Sequence, residues 1–115
     1  MKILILEDSP ERHKAFLRWL IGHVVKITEN AKDAIELLRA EDWDILFLDH
    51  DLGGEEMVVS GNGTGFEVAK WLAENPDNHP SKIVIHSYNP AGAMNMKSVL
   101  PTATLAPGCW ITRCV

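Results

Sequence analysis

Acidic side chains directly follow two of the apolar segments of this sequence. Glu7 and Asp8 come after one aliphatic run, and Asp49 and Asp51 come after another. Carboxylates gathered in one place repel each other and raise each other's pKa, unless a cation offsets their charge. Because Mg²⁺ and Mn²⁺ prefer oxygen ligands, these four residues predict a divalent-metal site if the fold brings them together.

Two of these acids also have an ordinary structural explanation when each is taken alone. Asp8 would cap the first helix, and Asp51 would begin a turn. Only the group, contributed by more than one strand end, indicates a metal rather than a set of unrelated surface acids.

Two histidines stand close to the acids in the sequence, His50 between Asp49 and Asp51, and His86 after a later apolar run. Imidazole exchanges protons near neutral pH, so both are candidate acid–base catalysts. Alternation along the strands gives a second interpretation, in which Asp49 and Ser87 face the site while both histidines face away. His50 and His86 would then form a structural pair beneath a helix, and the sequence leaves both interpretations open.

The spacing of apolar residues predicts β-strands and α-helices in alternation. Strands are predicted over residues 2–6, 24–28, 45–48, 83–85 and 102–105, with helices after Pro10, Asn30, Gly65 and Pro90. Because the strands are mainly apolar, helices must cover both faces of the sheet, which is then mostly parallel and doubly wound. Ligands of such folds bind beyond the carboxyl ends of the strands, where the acids and histidines lie.

Composition limits the possible classes of protein. The 115 residues, 46% of them hydrophobic, predict one globular domain over 1–115. Sixteen acidic against eleven basic side chains argue against binding double-stranded nucleic acid through phosphate contacts. No apolar run approaches the ~20 residues of a membrane span, and the first residues resemble a strand rather than a signal peptide. Two cysteines, both near the C-terminus, favour reduced thiols and a cytoplasmic location.

Several motifs resemble the receiver domain of response regulators, from the first residue to about residue 107. The resemblance is carried by four segments: Leu6-Glu7-Asp8, Leu48-Asp49, Thr64-Gly65-Phe66 and Ser87. In receivers these positions supply the acidic pair, the phosphoacceptor aspartate, the entry to helix three and a hydroxyl that contacts the phosphoryl group. The resemblance implies a five-stranded parallel sheet in the order 2-1-3-4-5.

Three departures from the receiver pattern bear on function. Ala106 stands where receivers carry a lysine after strand five, so phosphorylation of Asp49 would lack a main stabiliser. The two histidines replace residues that are usually aliphatic. Val115 follows strand five closely, and we expect the last helix to be short or absent.

The segment 49–53, together with His86-Ser87-Tyr88-Asn89, resembles a divergent class described as cyclic-phosphate-processing receiver-like domains. This resemblance implies a site that binds and hydrolyses a cyclic phosphate, either a cyclic nucleotide or a 2′,3′-cyclic phosphate end. The metal, Mg²⁺ or Mn²⁺, would be held by Glu7, Asp8, Asp49 and Asp51. The catalytic residues would be Asp49, His50 and His86. The phosphate would be bound by Ser87, Asn89, Gly53, Gly54 and Gly65.

Two other functions stay open at this point. The chain would be a single-domain phosphoacceptor modified at Asp49, or a protein that sequesters a cyclic nucleotide without cleaving it. A short tail after strand five would also leave apolar surface uncovered, and exposed apolar surface of this kind marks interfaces. We therefore predict a homodimer formed through helix four, strand five and the tail.

Overall fold

The computed structural model describes residues 1–52 and 59–106. The elements, in chain order, are β1 (Lys2–Leu6), α1 (Pro10–Trp19), β2 (Val24–Thr28), α2 (Ala31–Ala40), β3 (Ile45–Leu48), α3 (Gly65–Glu74), a 3₁₀ turn (Pro76–Asn78), β4 (Lys82–Ile85), α4 (Pro90–Val99) and β5 (Thr104–Leu105). Among the described residues, no helix is both long and apolar enough to cross a membrane.

The five strands form one parallel sheet in the order β2-β1-β3-β4-β5. One face packs against α2, α3 and α4 through a large apolar cluster that includes Leu38, Leu72 and Met96. The other face packs against α1 through Phe16 and through Leu20, which directly follows the helix. The predicted doubly wound sheet and its strand order are therefore confirmed.

Each α-helix begins at a residue whose side-chain oxygen accepts a backbone N–H of the first turn. These N-cap residues are Ser9, Asn30, Thr64 and Asn89. Proline occupies the first turn of α1 and of α4, where its missing N–H costs no hydrogen bond. Local side-chain chemistry thus fixes where the helices start, and the strand ends beside them are held in place.

The last strand is shorter than expected, covering Thr104–Leu105 rather than residues 102–105. The Lys97 ammonium group donates to the carbonyl oxygens of Pro101 and Ala103, which holds the preceding residues in a turn. The predictions for the last helix and the tail fall on residues 107–115, which lie outside the described residues.

Candidate metal and phosphate site

The register of the three central strands decides which side chains meet at the carboxyl edge of the sheet. Phe47 in β3 lies between Ile5 of β1 and Val84 of β4. Since side chains alternate along a strand, the residues two positions further on share the face of Phe47. Those residues are Glu7, Asp49 and His86. The expectation that Ser87 shares the face of Asp49 while His86 points away is therefore wrong by one residue of register.

Glu7, Asp49 and His86 form a buried cluster of possible metal ligands. One ligand atom from each lies within 4.8 Å of the other two. All three residues are buried, with at most 2% of their surface exposed. The Nε2–H of His86 donates to Glu7 Oε1 over 3.0 Å, and the backbone N–H groups of Asp8 and Ser9 donate to Glu7 Oε2. The two carboxyl groups are ligands that suit Mn²⁺ or Mg²⁺, whereas an imidazole is a ligand more typical of zinc, copper or iron.

A cation from α1 reaches the same cluster. Arg12 Nη1 lies 3.3 Å from Glu7 Oε1 and 3.7 Å from Asp49 Oδ2. Sequence reasoning looked for a cation after β5, where Ala106 stands, and missed this one. The available signal was the position of Arg12 in the first turn of the helix that directly follows the acidic pair. The Arg12 guanidinium also lies 5.2 Å from the centre of the Tyr88 ring, whose residue is 50% exposed.

The pKa values of the two carboxyl groups in the cluster are shifted in opposite directions. Burial, and then the charge of Glu7, raise the pKa of Asp49 to about 8. Burial alone would also raise the pKa of Glu7, but the hydrogen bond from His86, the Ser9 N–H and the Arg12 guanidinium outweigh it and lower that pKa to about 2. Burial lowers the pKa of His86 and so favours the neutral ring. At pH 7 the metal-free cluster holds one carboxylate and one carboxylic acid.

The two other predicted metal ligands lie apart from this cluster. Asp8 is half-exposed beside it, and Asp51 Oδ1 accepts from His50 Nδ1 over 2.8 Å and from Asn89 Nδ2 over 3.0 Å. Within the described parts of the chain, neither belongs to a group of three converging ligands. Metal binding by Asp8 and Asp51 therefore stays a prediction.

The two histidines lie on opposite faces of the sheet edge. The His86 ring packs against Phe16 and Phe47 on the side of α1, with ring centres 5.3 and 6.3 Å apart. The His50 ring lies against Gly92 of α4 on the other side. A facing pair of histidines beneath one helix is therefore wrong. His86 reaches the acidic cluster, and His50 belongs to a different set of contacts.

The described residues predicted to bind phosphate already make hydrogen bonds within the fold. Ser87 Oγ accepts from the Asn89 N–H, and Asn89 caps α4 through Gly92 N–H. The Gly65 N–H donates to the carbonyl oxygen of His50 over 2.8 Å. Phosphate binding at these positions stays a prediction, and Gly53 and Gly54 lie outside the described residues.

The sheet order and the acidic edge define a receiver-fold protein, and solved receivers share the fold. The response regulator TrrA from Thermotoga maritima, in a complex with Mg²⁺ and BeF, is 19% identical, with 96% of this chain and 89% of that chain covered and a TM-score of 0.72. The Mn²⁺-bound response regulator Rcp1 is 17% identical, with 98% and 85% covered and a TM-score of 0.71. The chemotaxis protein CheY4 from Vibrio cholerae is 17% identical, with 96% and 88% covered and a TM-score of 0.70.

The chain belongs to the cyclic-phosphate processing receiver domain family, whose model matches residues 2–102. No curated protein matches the sequence significantly. The family membership agrees with the resemblance found in the segment 49–53 and in the residues from His86 to Asn89.

Proposed function

We propose that this protein binds a cyclic nucleotide, or another cyclic phosphate, at the cluster of Glu7, Asp49 and His86 and hydrolyses it with a divalent metal. The observation that carries the proposal is the convergence of two buried carboxyl groups and an imidazole at three neighbouring strand ends. Membership of the cyclic-phosphate processing family supports a ligand that contains a cyclic phosphate. The described residues form no other cluster of three possible metal ligands.

Glu7 and Asp49 would hold Mg²⁺ or Mn²⁺, with Asp8 close enough in sequence to join them, while the Nε2–H of His86 would hold the Glu7 carboxylate in place. The bound ion would polarise the phosphorus–oxygen bonds and lower the pKa of a water molecule. The raised pKa of Asp49 fits this role, because a metal-free pair of buried carboxyl groups retains a proton that a divalent cation would displace.

Arg12 and Tyr88 supply the contacts that would recognise a nucleotide. The half-exposed Arg12 guanidinium carries the positive charge that a phosphate requires, and its planar fork suits phosphate oxygens. The exposed Tyr88 ring beside it offers a flat surface for a nucleobase. A ligand with its phosphate at Arg12 and its base at Tyr88 would lie at the mouth of the acidic cluster.

Turnover tests the proposal directly. The pure protein, incubated with Mn²⁺ or Mg²⁺ and a panel of 3′,5′- and 2′,3′-cyclic nucleotides, is expected to open at least one of them, as followed by ³¹P NMR. Asp49→Asn should lower the rate at least ~100-fold because it removes a ligand charge, whereas Asp77→Asn, at an exposed site, should not change it. Arg12→Gln should weaken binding ~10-fold or more by titration calorimetry, and Arg18→Gln, on the exposed side of the same helix, should have no effect.

Three outcomes would contradict the proposed activity or its place at the acidic cluster. No turnover of any panel member, in the wild type as in Asp49→Asn, would exclude hydrolysis of these substrates. Tight binding without turnover would instead identify a protein that sequesters the cyclic nucleotide. Equal activity of Asp49→Asn and the wild type would show that hydrolysis does not take place at the acidic cluster.

A second candidate, phosphorylation at Asp49, is favoured by one observation. Arg12 Nη1 lies 3.7 Å from Asp49 Oδ2 and supplies a cation beside the phosphoacceptor position, although the usual lysine is absent. Acetyl phosphate with Mg²⁺ would then form a hydroxylamine-labile acyl phosphate on Asp49, detected by intact-mass spectrometry. Its absence under conditions that modify an ordinary receiver would exclude this function.

We also propose a homodimer formed at α4 and β5, in a protein of the cytoplasm. The edge strand β5 is exposed over both of its residues, and Met94 and Leu105 present apolar surface there. Sedimentation equilibrium is expected to give twice the 12.8 kDa of one chain. Leu105→Lys should shift the protein to monomer, while Ile21→Lys, at an exposed apolar residue beyond α1, should leave the dimer intact. A wild-type monomer at micromolar concentration contradicts the dimer.

A further inference from the structure

A second group of polar side chains lies on the face of the sheet edge opposite the acidic cluster. Asp51 Oδ1 lies 2.8 Å from His50 Nδ1, and His50 Nε2 lies 2.7 Å from Ser60 Oγ. Asn89 contacts Asp51, and Asn95 contacts Ser60. Carboxylate, imidazole and hydroxyl therefore form one continuous hydrogen-bonded chain, which the function proposed above does not use.

The contacts of Asp51, His50 and Ser60 show which atom donates and which accepts in each of these hydrogen bonds. A carboxylate only accepts, so the 2.8 Å contact between His50 Nδ1 and Asp51 Oδ1 places the ring proton on Nδ1. Asn89 Nδ2 lies 3.4 Å from His50 Nδ1 and 3.0 Å from Asp51 Oδ1, and it donates to the nearer carboxylate oxygen. His50 Nε2 is then an acceptor, and Ser60 donates its hydroxyl proton to it. Asn95 Nδ2 donates to Ser60 Oγ over 2.9 Å, and within residues 1–52 and 59–106 no other hydrogen-bond donor reaches that oxygen, so one of its lone pairs is available for a reaction.

Packing holds the His50 ring in place, and Ser60 beside it is less buried than the ring. The His50 ring is fully buried against Gly92, where an added Cβ would lie 2.4 Å from the ring Cγ. Only a glycine at this position of α4 leaves room for the imidazole. Ser60, by contrast, is half-buried, and Asn95 beside it is exposed. A fixed base hydrogen-bonded to the hydroxyl of a half-buried serine is the arrangement expected of an activated serine nucleophile.

We infer that Ser60 is the nucleophile of a second, metal-independent site, with His50 as its general base and Asp51 as a positioning residue. Ser60 Oγ forms a bond to the carbonyl carbon of an ester while its proton moves to His50 Nε2. The tetrahedral intermediate then expels the alcohol, which takes that proton, and an acyl group remains on Ser60. Water repeats the sequence, releases the acid and restores the hydroxyl.

The surrounding charges favour an uncharged carboxylic ester as the substrate. Of the residues that the structure describes, those that hydrogen-bond to His50 or Ser60 offer a carboxylate and two amides, and none is a lysine or arginine. A phosphate monoester would meet no positive charge at Ser60, and the carboxylate of Asp51 would repel it. Small neutral esters carry no such penalty.

Covalent labelling tests the nucleophile without a metal or a cyclic phosphate, so the result does not depend on the function proposed above. An alkyl fluorophosphonate in EDTA should form a bond to Ser60 with loss of fluoride, located by peptide mass spectrometry. Ser60→Ala should abolish the label, and Ser81→Ala, at an exposed serine, should not. Asp51→Asn should slow labelling about 100-fold, because an amide donor at Nδ1 moves the ring proton to Nε2.

The same protein treated with p-nitrophenyl acetate should acquire an acetyl group on Ser60 and release p-nitrophenol in a burst. No label on wild-type Ser60, or the same rate of labelling in folded Asp51→Asn, would overturn the assignment of Ser60 as a nucleophile activated by His50. Phosphonylation of Ser60 without acetylation would overturn the carboxylic ester as the substrate class. A purely structural chain of hydrogen bonds would change the unfolding temperature of these variants and leave no covalent product.

Discussion

Replacing Asp49 with asparagine is expected to stabilise the metal-free protein at alkaline pH by an amount of the order of 5 kcal/mol. Burial and the charge of Glu7 raise the pKa of Asp49 from 3.8 to about 8 in the folded state. The folded protein therefore binds the Asp49 proton more tightly than the unfolded chain does. Stability from this group is complete below about pH 4 and is lost as the pH rises towards 8.

Asparagine has the shape of the protonated carboxyl group and never ionises, so the variant keeps the stability that the wild type loses. Urea denaturation in EDTA at pH 5, 7 and 9 measures the difference. It should grow with pH between 5 and 8 and then level off. Asp77→Asn, at an exposed carboxyl group, serves as the control and should match the wild type throughout. A difference of the same size at pH 5 and at pH 9 would show that ionisation of Asp49 is not its cause.

A divalent cation should raise the free energy of unfolding of the wild type far more than that of Asp49→Asn. Mn²⁺ that binds only the folded state stabilises it in proportion to the logarithm of its concentration above the dissociation constant. Asp49→Asn, with one ligand charge fewer, should gain much less at the same concentration. Equal gains in the two proteins would place the ion somewhere other than the cluster of Glu7, Asp49 and His86.

Replacing Gly65 with alanine is expected to destabilise the fold by about 3 kcal/mol or more. A Cβ at this position would lie 1.7 Å from the carbonyl oxygen of Asp49 and 3.1 Å from the Cα of His50. Both neighbours are backbone atoms and no rotamer change relieves the clash. The first turn of α3 would have to move away from β3, and the hydrogen bond from Gly65 N–H to His50 O would be lost.

The expected destabilisation by Gly65→Ala is opposite in sign to the effect of helix propensity. In an ordinary helix position alanine is about 1 kcal/mol more favourable than glycine, so helix propensity alone predicts stabilisation. Gly61→Ala is the matched control, because its added Cβ meets no atom within 4 Å. Urea denaturation should show a large loss for Gly65→Ala and little change for Gly61→Ala. A Gly65→Ala protein as stable as the wild type would contradict the close approach of α3 to Asp49.

The fold was largely predictable because its signals are local. Mainly apolar strands alternate with capped amphipathic helices, and the caps Ser9, Asn30 and Asn89 are recognisable from residue type and spacing alone. The exception is β5, whose start depends on where the Lys97 side chain folds back onto the chain before it.

The site was predictable only in part, because its details depend on how strands align with one another. Alternation assigns a face to each residue of one strand, but it does not relate the faces of two strands. The pairing of Phe47 with Val84 brings His86 beside Asp49 and turns Ser87 away, and a shift of one residue would exchange them. Arg12 was missed for a similar reason, since its approach to Glu7 depends on the angle at which α1 leaves β1.

The contact between Gly92 and the His50 ring also constrains the order in which this protein can evolve. A side chain at position 92 would collide with the imidazole, with a first atom only 2.4 Å from Cγ. A lineage that loses the histidine first can then accept larger residues at position 92, and each such gain makes the return of the histidine harder. Substitutions at the two positions are therefore coupled: the effect of a substitution at one position depends on the residue already present at the other.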